Sequence, residues 1–450
     1  MARRRPNIFY IHTHDTGRAI APYGFKADTP NLSRFASSAA VFRNAHCAAP
    51  SCSPSRAAML TGRWPHQAGM LGLAHFGHRL SDPRHHLIHT LREAGYISVL
   101  GGMQHVADRA DRVGYDRLLL PVDTEPVVDT VCPAFEAFMN DPPEEPIFAS
   151  VGFTETHRPF EEPGAGEPPA WCQVPAPMPD TPETREDASA FAASLRRVDE
   201  GIGRVLDAIR NAGIWDESII IITTDHGPPF PEMKCNLTVH GTGVMLMMRG
   251  PGIPETAGSN AAVEDGAGAA GTVEPAPPPG SIEPRGGPSL IDSLVSQVDL
   301  YPTLCELIGV EKPEWLEGES LLPLLRGERR QVHEEIFAEC TYHVEYEPMR
   351  AVRTPRYLYV RRFDERPAIV PANCDDGPSK SLFLREGWVD RRPAVEELYD
   401  TLLDPQERRN LAGSPQYGEV MGDLAGRLQA WMARTGDPLL DGPLTRNPRR

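Results

Sequence analysis

Lysine is nearly missing from this chain. Lys26, Lys234, Lys312 and Lys380 are the only four among 45 basic residues in 450. Genomic base composition accounts for such a bias, but it makes every remaining lysine worth inspecting. Positive charge as a whole is also short. Acidic residues number 62, and the formal net charge is −17. That argues against nucleic acid as the main partner, because phosphate binding wants a basic surface. A local basic pocket in an acidic protein still admits a small anionic substrate. Long apolar runs are absent too, so no transmembrane helix and no membrane role are expected. The N-terminal MARRRPNIFYIHTHD lacks the apolar core and small-residue cleavage site of a signal peptide. The expectation is a first strand at that point and a cytoplasmic protein. Eight cysteines are scattered with no CxxC, which fits free thiols in a reducing compartment better than a disulfide scaffold. Internal repeats are missing, and the sequence is silent on oligomeric state.

At 40% hydrophobic and 24% charged residues the chain reads as globular. Its length allows two or three domains, or one large domain with a small partner. Asn7 to Thr13, Tyr96 to Leu100, Pro146 to Phe153 and Ser218 to Thr224 (SIIIITT) read as strands. The last is apolar and β-branched throughout, as in a parallel sheet covered on both faces. Helices are expected from Pro30, over Arg84 to Ala94, Cys132 to Asn140, Glu186 to Asn211, Leu294 to Ile308, and Tyr417 to Thr435. Strands alternating with helices argue an α/β fold. From about Glu334 the pattern changes to short strands (EEIFAEC, MRAVRT, RYLYVRRF), so a smaller C-terminal α+β domain is expected over 333–450 after a first domain over 1–332. Residues 255–288 are rich in Gly, Ala, Pro and Glu and predict a flexible surface insertion.

Cys52-Ser53-Pro54-Ser55-Arg56, followed by AAMLTG, is the most informative segment. A cysteine just before a helix N-terminus is either a small buried residue or a group whose negative charge the helix end stabilises. The whole pattern is more specific. C-x-P-S-R followed by L-T-G resembles the signature of the type I sulfatases, within the alkaline phosphatase superfamily. The resemblance runs from the first strand to ELYD…DP.E..NL at Glu397 to Leu411. SCSPSRAAMLTGRWPHQAGMLGL, DHGPPFPEMKCNL and EYEPMRAVRT are similar to the sulfamidase (N-sulfoglucosamine sulfohydrolase) branch.

The resemblance implies a large mixed, mostly parallel sheet between helices, of the alkaline-phosphatase type. It implies conversion of Cys52 to formylglycine by a separate formylglycine-generating enzyme, the hydrated aldehyde supplying the nucleophile. A metal is implied at His14, Asp15, Cys52, Asp225 and His226. His14 stands where the family has an aspartate, and two imidazoles are more nitrogen than calcium prefers. Calcium is first by resemblance, with magnesium, manganese or zinc as alternatives, and the histidines at 12, 14 and 226 are alternatively hydrogen-bonding groups. Arg56 would hold the nucleophile, Lys234 the sulfate, His157 the leaving atom, and His105 a proton of the diol. The family's G-K-x-H is here Gly102-Met103-Gln104-His105. Gln104, or another cation such as Arg79, would have to serve in place of that lysine. His343 and Gln104 are candidate substrate contacts, and His66 and Gln67 candidate pocket residues. The function implied is removal of sulfate from a small sulfated carbohydrate, as N-sulfonate or O-sulfate. A phosphonate monoester or phosphodiester hydrolase of the same superfamily, or a non-catalytic binder of sulfated ligands, are the alternatives.

Overall fold

The computed structural model describes residues 5–254 and 289–444, and all counts refer to these residues. The insertion expected at 255–288 lies outside them. The strands are β1 (Asn7–Thr13), β2 (Ala40–Phe42), β3 (Ala45–His46), β4 (Ile97–Leu100), β5 (Arg117–Leu118), β6 (Ile147–Gly152) and β7 (Ser218–Thr224). They continue with β8 (Leu246–Arg249), β9 (Ser289–Ile291), β10 (Val295–Ser296), β11 (Ile336–Tyr342), β12 (Tyr346–Arg353), β13 (Tyr357–Arg362) and β14 (Glu396–Asp400). Eight of them form one sheet in the order β5-β4-β6-β1-β7-β8-β2-β9. Pairing is parallel except where β8 meets β7 and β2.

Every residue of β1 and β7 is buried. Successive side chains of a strand point to opposite faces, and β1 shows it. Ile8 and Tyr10 join one core, while Phe9 and Ile11 join the other. The long helix Pro182–Asn211 and the helix Val128–Met139 cover the second face, and Leu87–Glu93 and Leu300–Ile308 cover the first. The long helix starts four residues before the expected Glu186, because Thr181 caps it and Pro182 takes its first position. Val128–Met139 likewise starts earlier than Cys132. Pro133 sits inside it and forfeits only the bond to the carbonyl four residues back. The expected helix Arg84 to Ala94 is divided. A 3-10 turn, Pro83–His85, ends at His86, whose ring then accepts from Ile88 N and caps Leu87–Glu93. Leu294 to Ile308 is also divided, since Val295 pairs with Ala45 before the helix begins at Leu300.

β11 to β14 make a four-stranded antiparallel sheet in chain order. With the last helix, Gly418–Thr435, it forms a core from Phe337, Val352, Tyr359, Leu398, Leu428 and Trp431. Ala48, Ala58 and Trp64 belong to that same core. The C-terminal sheet is therefore packed directly on the segment around the Cys52–Thr61 helix.

Candidate active site

The register of β1 and β7 builds the centre. Asn7 pairs with Ser218 and Thr13 with Thr224, so both strands end level and parallel. The next residues, His14-Asp15 and Asp225-His226, leave the sheet side by side, at the strand ends where open α/β sheets place their ligands. Asp15 turns in the left-handed region, at φ 58°. Its N–H donates to Asp225 Oδ1 at 2.8 Å, and His226 N–H donates to the same oxygen at 2.9 Å. β6 flanks β1 on the other side. There Gly152 faces His12 so closely that a Cβ would lie 2.2 Å from the imidazole.

Cys52 is the first residue of a ten-residue helix that is buried along its whole length. Cys52 Sγ lies 3.5 Å from His226 Nε2. Burial pushes its thiol well above the ordinary value, with Lys234 opposing and Asp15 adding to the rise, so at neutral pH the unmodified group is a thiol rather than a nucleophilic thiolate. One turn on, Arg56 is 1% exposed. Its guanidinium donates to His12 Nδ1 at 2.6 Å, to the Thr13 carbonyl at 3.1 Å and to Asp225 Oδ2 at 3.0 Å. Burial and Arg56 together press His12 well below the usual imidazole range. Burial alone would raise Asp225, but His226, His14 and Arg56 carry it below the usual carboxylate range.

The other rim is built around Lys234. Its Nζ donates to Asp15 Oδ2 at 2.8 Å and to Asp375 Oδ2 at 2.9 Å. Burial opposes the charged forms, yet this pairing keeps Lys234 well above and Asp15 well below their ordinary values. His157 Nδ1 donates to the Arg158 carbonyl at 2.6 Å, which leaves Nε2 3.9 Å from Asp15 and 4.0 Å from Asp375. His105, also left-handed at φ 56°, sits 5.9 Å from His14 between ring centres. Its Nε2 meets His75 Nδ1 at 3.1 Å, and the two rings stack within 6° of parallel. His343 is buried with its Nδ1 3.0 Å from Ser51 Oγ, beside the nucleophile position.

Several sequence candidates are used elsewhere. Gln104 accepts from Val106 N and Ala107 N and donates to Ala107 O, so its amide ties its own loop. Arg79 lines a separate cavity of about 330 Å³ with His78, His86 and Asp108. His66 Nδ1 meets Glu339 Oε1 at 2.9 Å, and Gln67 Nε2 donates to Glu317 at 2.6 Å; both join the helix end to later parts of the chain. Met103 contributes a backbone N–H to Gly152 O at 3.0 Å. Conversely, Asp375 and His75 stand in the site without having been singled out. No local pattern marks either one, because their partners lie 141 and 30 residues away.

The donor atoms fit a divalent cation. One ligand atom each from His14, Asp15, Cys52 and Asp225 lies within 4.8 Å of all the others, and all four residues are buried. His226 stands at the edge of this group. Its Nδ1 donates to Gly227 O at 2.9 Å, and its Nε2 lies 3.2 Å from Asp15 Oδ1.

Comparison with known proteins agrees with this geometry. The profile of the sulfatase family matches residues 6–310, and one described as N-sulphoglucosamine sulphohydrolase, C-terminal, matches residues 278–368. Human N-sulphoglucosamine sulphohydrolase is 27% identical, over 98% of this chain and 93% of that protein. A Delta 4,5-hexuronate-2-O-sulfatase of Bacteroides thetaiotaomicron is 25% identical, over 100% of this chain and 93% of its own. The solved structure of a 2-O GAG sulfatase shares the fold, with a TM-score of 0.69 at 22% identity, over 99% of this chain and 96% of that one. The first of these profiles spans well over half of the chain, from β1 to the helix Leu300–Ile308, and the chain belongs to the sulfatase family.

Proposed function

We propose that this protein is a sulfohydrolase that removes sulfate from a sulfated sugar, present as the N-sulfonate of a glucosamine or as a sugar O-sulfate. The position of Cys52 carries the reading. It opens a buried helix, in an intact C-x-P-S-R, against His226 and within 4.8 Å of donor atoms of His14, Asp15 and Asp225. Matured by a formylglycine-generating enzyme, Cys52 would supply a hydrated aldehyde as nucleophile. A divalent cation, calcium first and magnesium, manganese or zinc as alternatives, would be held by His14, Asp15 and Asp225 with His226 beside them, and would supply positive charge to sulfate oxygen.

The chain's own residues do the rest. Arg56, fixed on three acceptors, compensates Asp225 and holds the nucleophile side rigid. The Lys234 ammonium faces the cleft from the Asp15 side and neutralises sulfate oxygen. His157, its Nδ1 engaged by a carbonyl, presents Nε2 to the leaving nitrogen or oxygen and delivers a proton there. His105, steadied by His75, holds a proton at the nucleophile.

Mass spectrometry of the tryptic peptide Asn44 to Arg56 from native-host protein tests this reading. Arg43 and Arg56 bracket the peptide, and Cys47 within it serves as an internal thiol control. The expected result is one thiol and one aldehyde. A thiol at Cys52 in active protein overturns the formylglycine mechanism.

The imidazoles of His14 and His226 favour a second reading, a phosphonate monoester or phosphodiester hydrolase, because they enrich the donor set in nitrogen. A panel of sulfate esters, sulfamates and phosphonate esters separates the two. A cytoplasmic location is part of the proposal, and the eight free cysteines, seven of them buried, are in keeping with a reducing compartment.

A further inference from the structure

A cavity of about 490 Å³ borders the site at His157 and Asp375, its lining also including Phe160, Glu186, Asp187 and Asp376. Its guanidinium is engaged. Arg158 pairs with Asp187 at 2.7 Å and lies over the Phe160 ring at 4.1 Å. Lys380, outside that lining, donates to Cys374 O and Asp376 Oδ1, both at 2.7 Å. The lining thus holds four carboxylates, three of them paired with a cation, so it carries a small excess of negative charge although the substrate is an anion. Asp375 stands at its inner end. One of its oxygens takes the Lys234 bond, and the other faces His157 Nε2 at 4.0 Å. The side chain is 21% exposed, so it borders the space where the group attached to sulfur must lie. Burial works against its charge, and Lys234 more than offsets this, holding the carboxyl below its usual range.

We propose that Asp375 is a specificity-determining residue of this cleft: it receives the departing nitrogen of an N-sulfonated amino sugar as an ammonium, and so selects an amine over an alcohol as leaving group. The proposal rests on the sulfohydrolase reading above. The two reactions differ in the charge left behind. For a sulfamate, R–NH–SO3⁻ + H2O gives R–NH3⁺ + SO4²⁻. The S–N bond breaks, its electron pair stays on nitrogen, and water supplies the two protons that nitrogen gains and the oxygen that sulfur gains. For an ester, R–O–SO3⁻ + H2O gives R–OH + SO4²⁻ + H⁺, and the departing group is neutral. A carboxylate beside the leaving atom forms a charge-assisted hydrogen bond with the ammonium and only an ordinary one with the alcohol. The excess negative charge of the lining extends the same preference, since it disfavours substrates with further sulfates or carboxylates near the reacting group.

The test uses the purified full chain and its Asp375→Asn and Asp375→Glu variants. Binding of glucosamine and of glucose is measured by calorimetry at pH 6.5, which needs no turnover. In parallel, kcat and KM are measured for glucosamine N-sulfonate and N-acetylglucosamine 6-O-sulfate. The wild-type protein is expected to bind glucosamine at least tenfold more tightly than glucose. Asp375→Asn is expected to remove that difference and to lower kcat/KM at least tenfold more for the N-sulfonate than for the O-sulfate. Asp375→Glu, which keeps the charge, restores part of the preference. Equal binding of the two sugars by wild type, or an unchanged preference in folded Asp375→Asn, overturns the proposal. Failure to release sulfate from either substrate, with the glucosamine preference intact and dependent on Asp375, counts against the sulfohydrolase reading while the amine site stands.

Discussion

The two rims of the cleft are built differently. Around Asp225 everything is rigid and dry. Arg56, His12, Asp225 and His226 are each no more than 1% exposed, and each is placed by a strand end or by the Cys52 helix. Around Lys234, itself buried against Asp15, the two further groups come from loops and meet solvent. His157 and Asp375 keep 31% and 21% of their side chains exposed, and Asp375 arrives from the connection between β13 and β14 in the C-terminal sheet. A reaction in which the nucleophile is always the same and the leaving group varies makes sense of this division. The rim that holds the nucleophile gains from fixed dipoles, while the rim that meets the sugar gains from replaceable loops.

Removing one cation from each rim sharpens that contrast and has the largest expected effect. Arg56→Met leaves Asp225 charged, buried and without its guanidinium partner, so a stability loss of about 3–5 kcal/mol is expected. Lys234→Met should cost less, because it strands one fully buried acceptor, Asp15, and one that regains water, Asp375, whereas Arg56→Met strands three buried ones. Urea unfolding of both variants beside wild type measures the difference. An equal or larger loss for Lys234→Met would refute the assignment of rigidity to the Asp225 rim.

The same division decides what was legible in the sequence. The inner rim lies within a few residues of strong local signals. NIFYIHT ends at His14-Asp15, SIIIITT ends at Asp225-His226, and the hexad carries both Cys52 and Arg56. Parallel pairing of two such strands brings their ends together without further information. The outer rim depends on how the C-terminal sheet docks, which no periodicity encodes. Asp375 sits in a loop with nothing to distinguish it from Asp376, although one meets Lys234 and the other Lys380. Gln104 shows the converse. Its place beside His105 suggested the cleft, but backbone groups two and three residues away use its amide first.

A pH series probes the inner rim with a somewhat smaller effect. Burial presses His14 from 6.5 down to about 4, and His12, His105 and His343 move the same way. Between those values the unfolded chain binds protons that the folded chain refuses, so stability rises with pH, by about 1.4 kcal/mol per unit for each such imidazole. Metal-free protein should therefore weaken steadily as pH falls from about 6.5 toward 4. Asp15 and Asp225, held below the usual carboxylate range, add their loss only below about pH 4. Urea midpoints at constant ionic strength with chelator present follow the curve, and a flat profile from pH 7 to 5 would show that these rings are not held neutral by burial.

The smallest effect is expected where the rims meet. His75 stacks on His105 and shares a ring-to-ring hydrogen bond with it, while His105 itself faces His14. If His75 sets the orientation of His105, His75→Phe keeps an aromatic ring in the stack and removes only the nitrogen. One hydrogen bond between neutral groups is worth about 0.5–1.5 kcal/mol, so kcat should fall about two- to tenfold. KM should hold, because the hydrogen bond removed runs to His105. His75→Asn, which returns a polar atom near the position of Nδ1, should recover part of the loss. A rise in KM at unchanged kcat would instead place His75 among the sugar contacts and move the border between the two rims outward from His105.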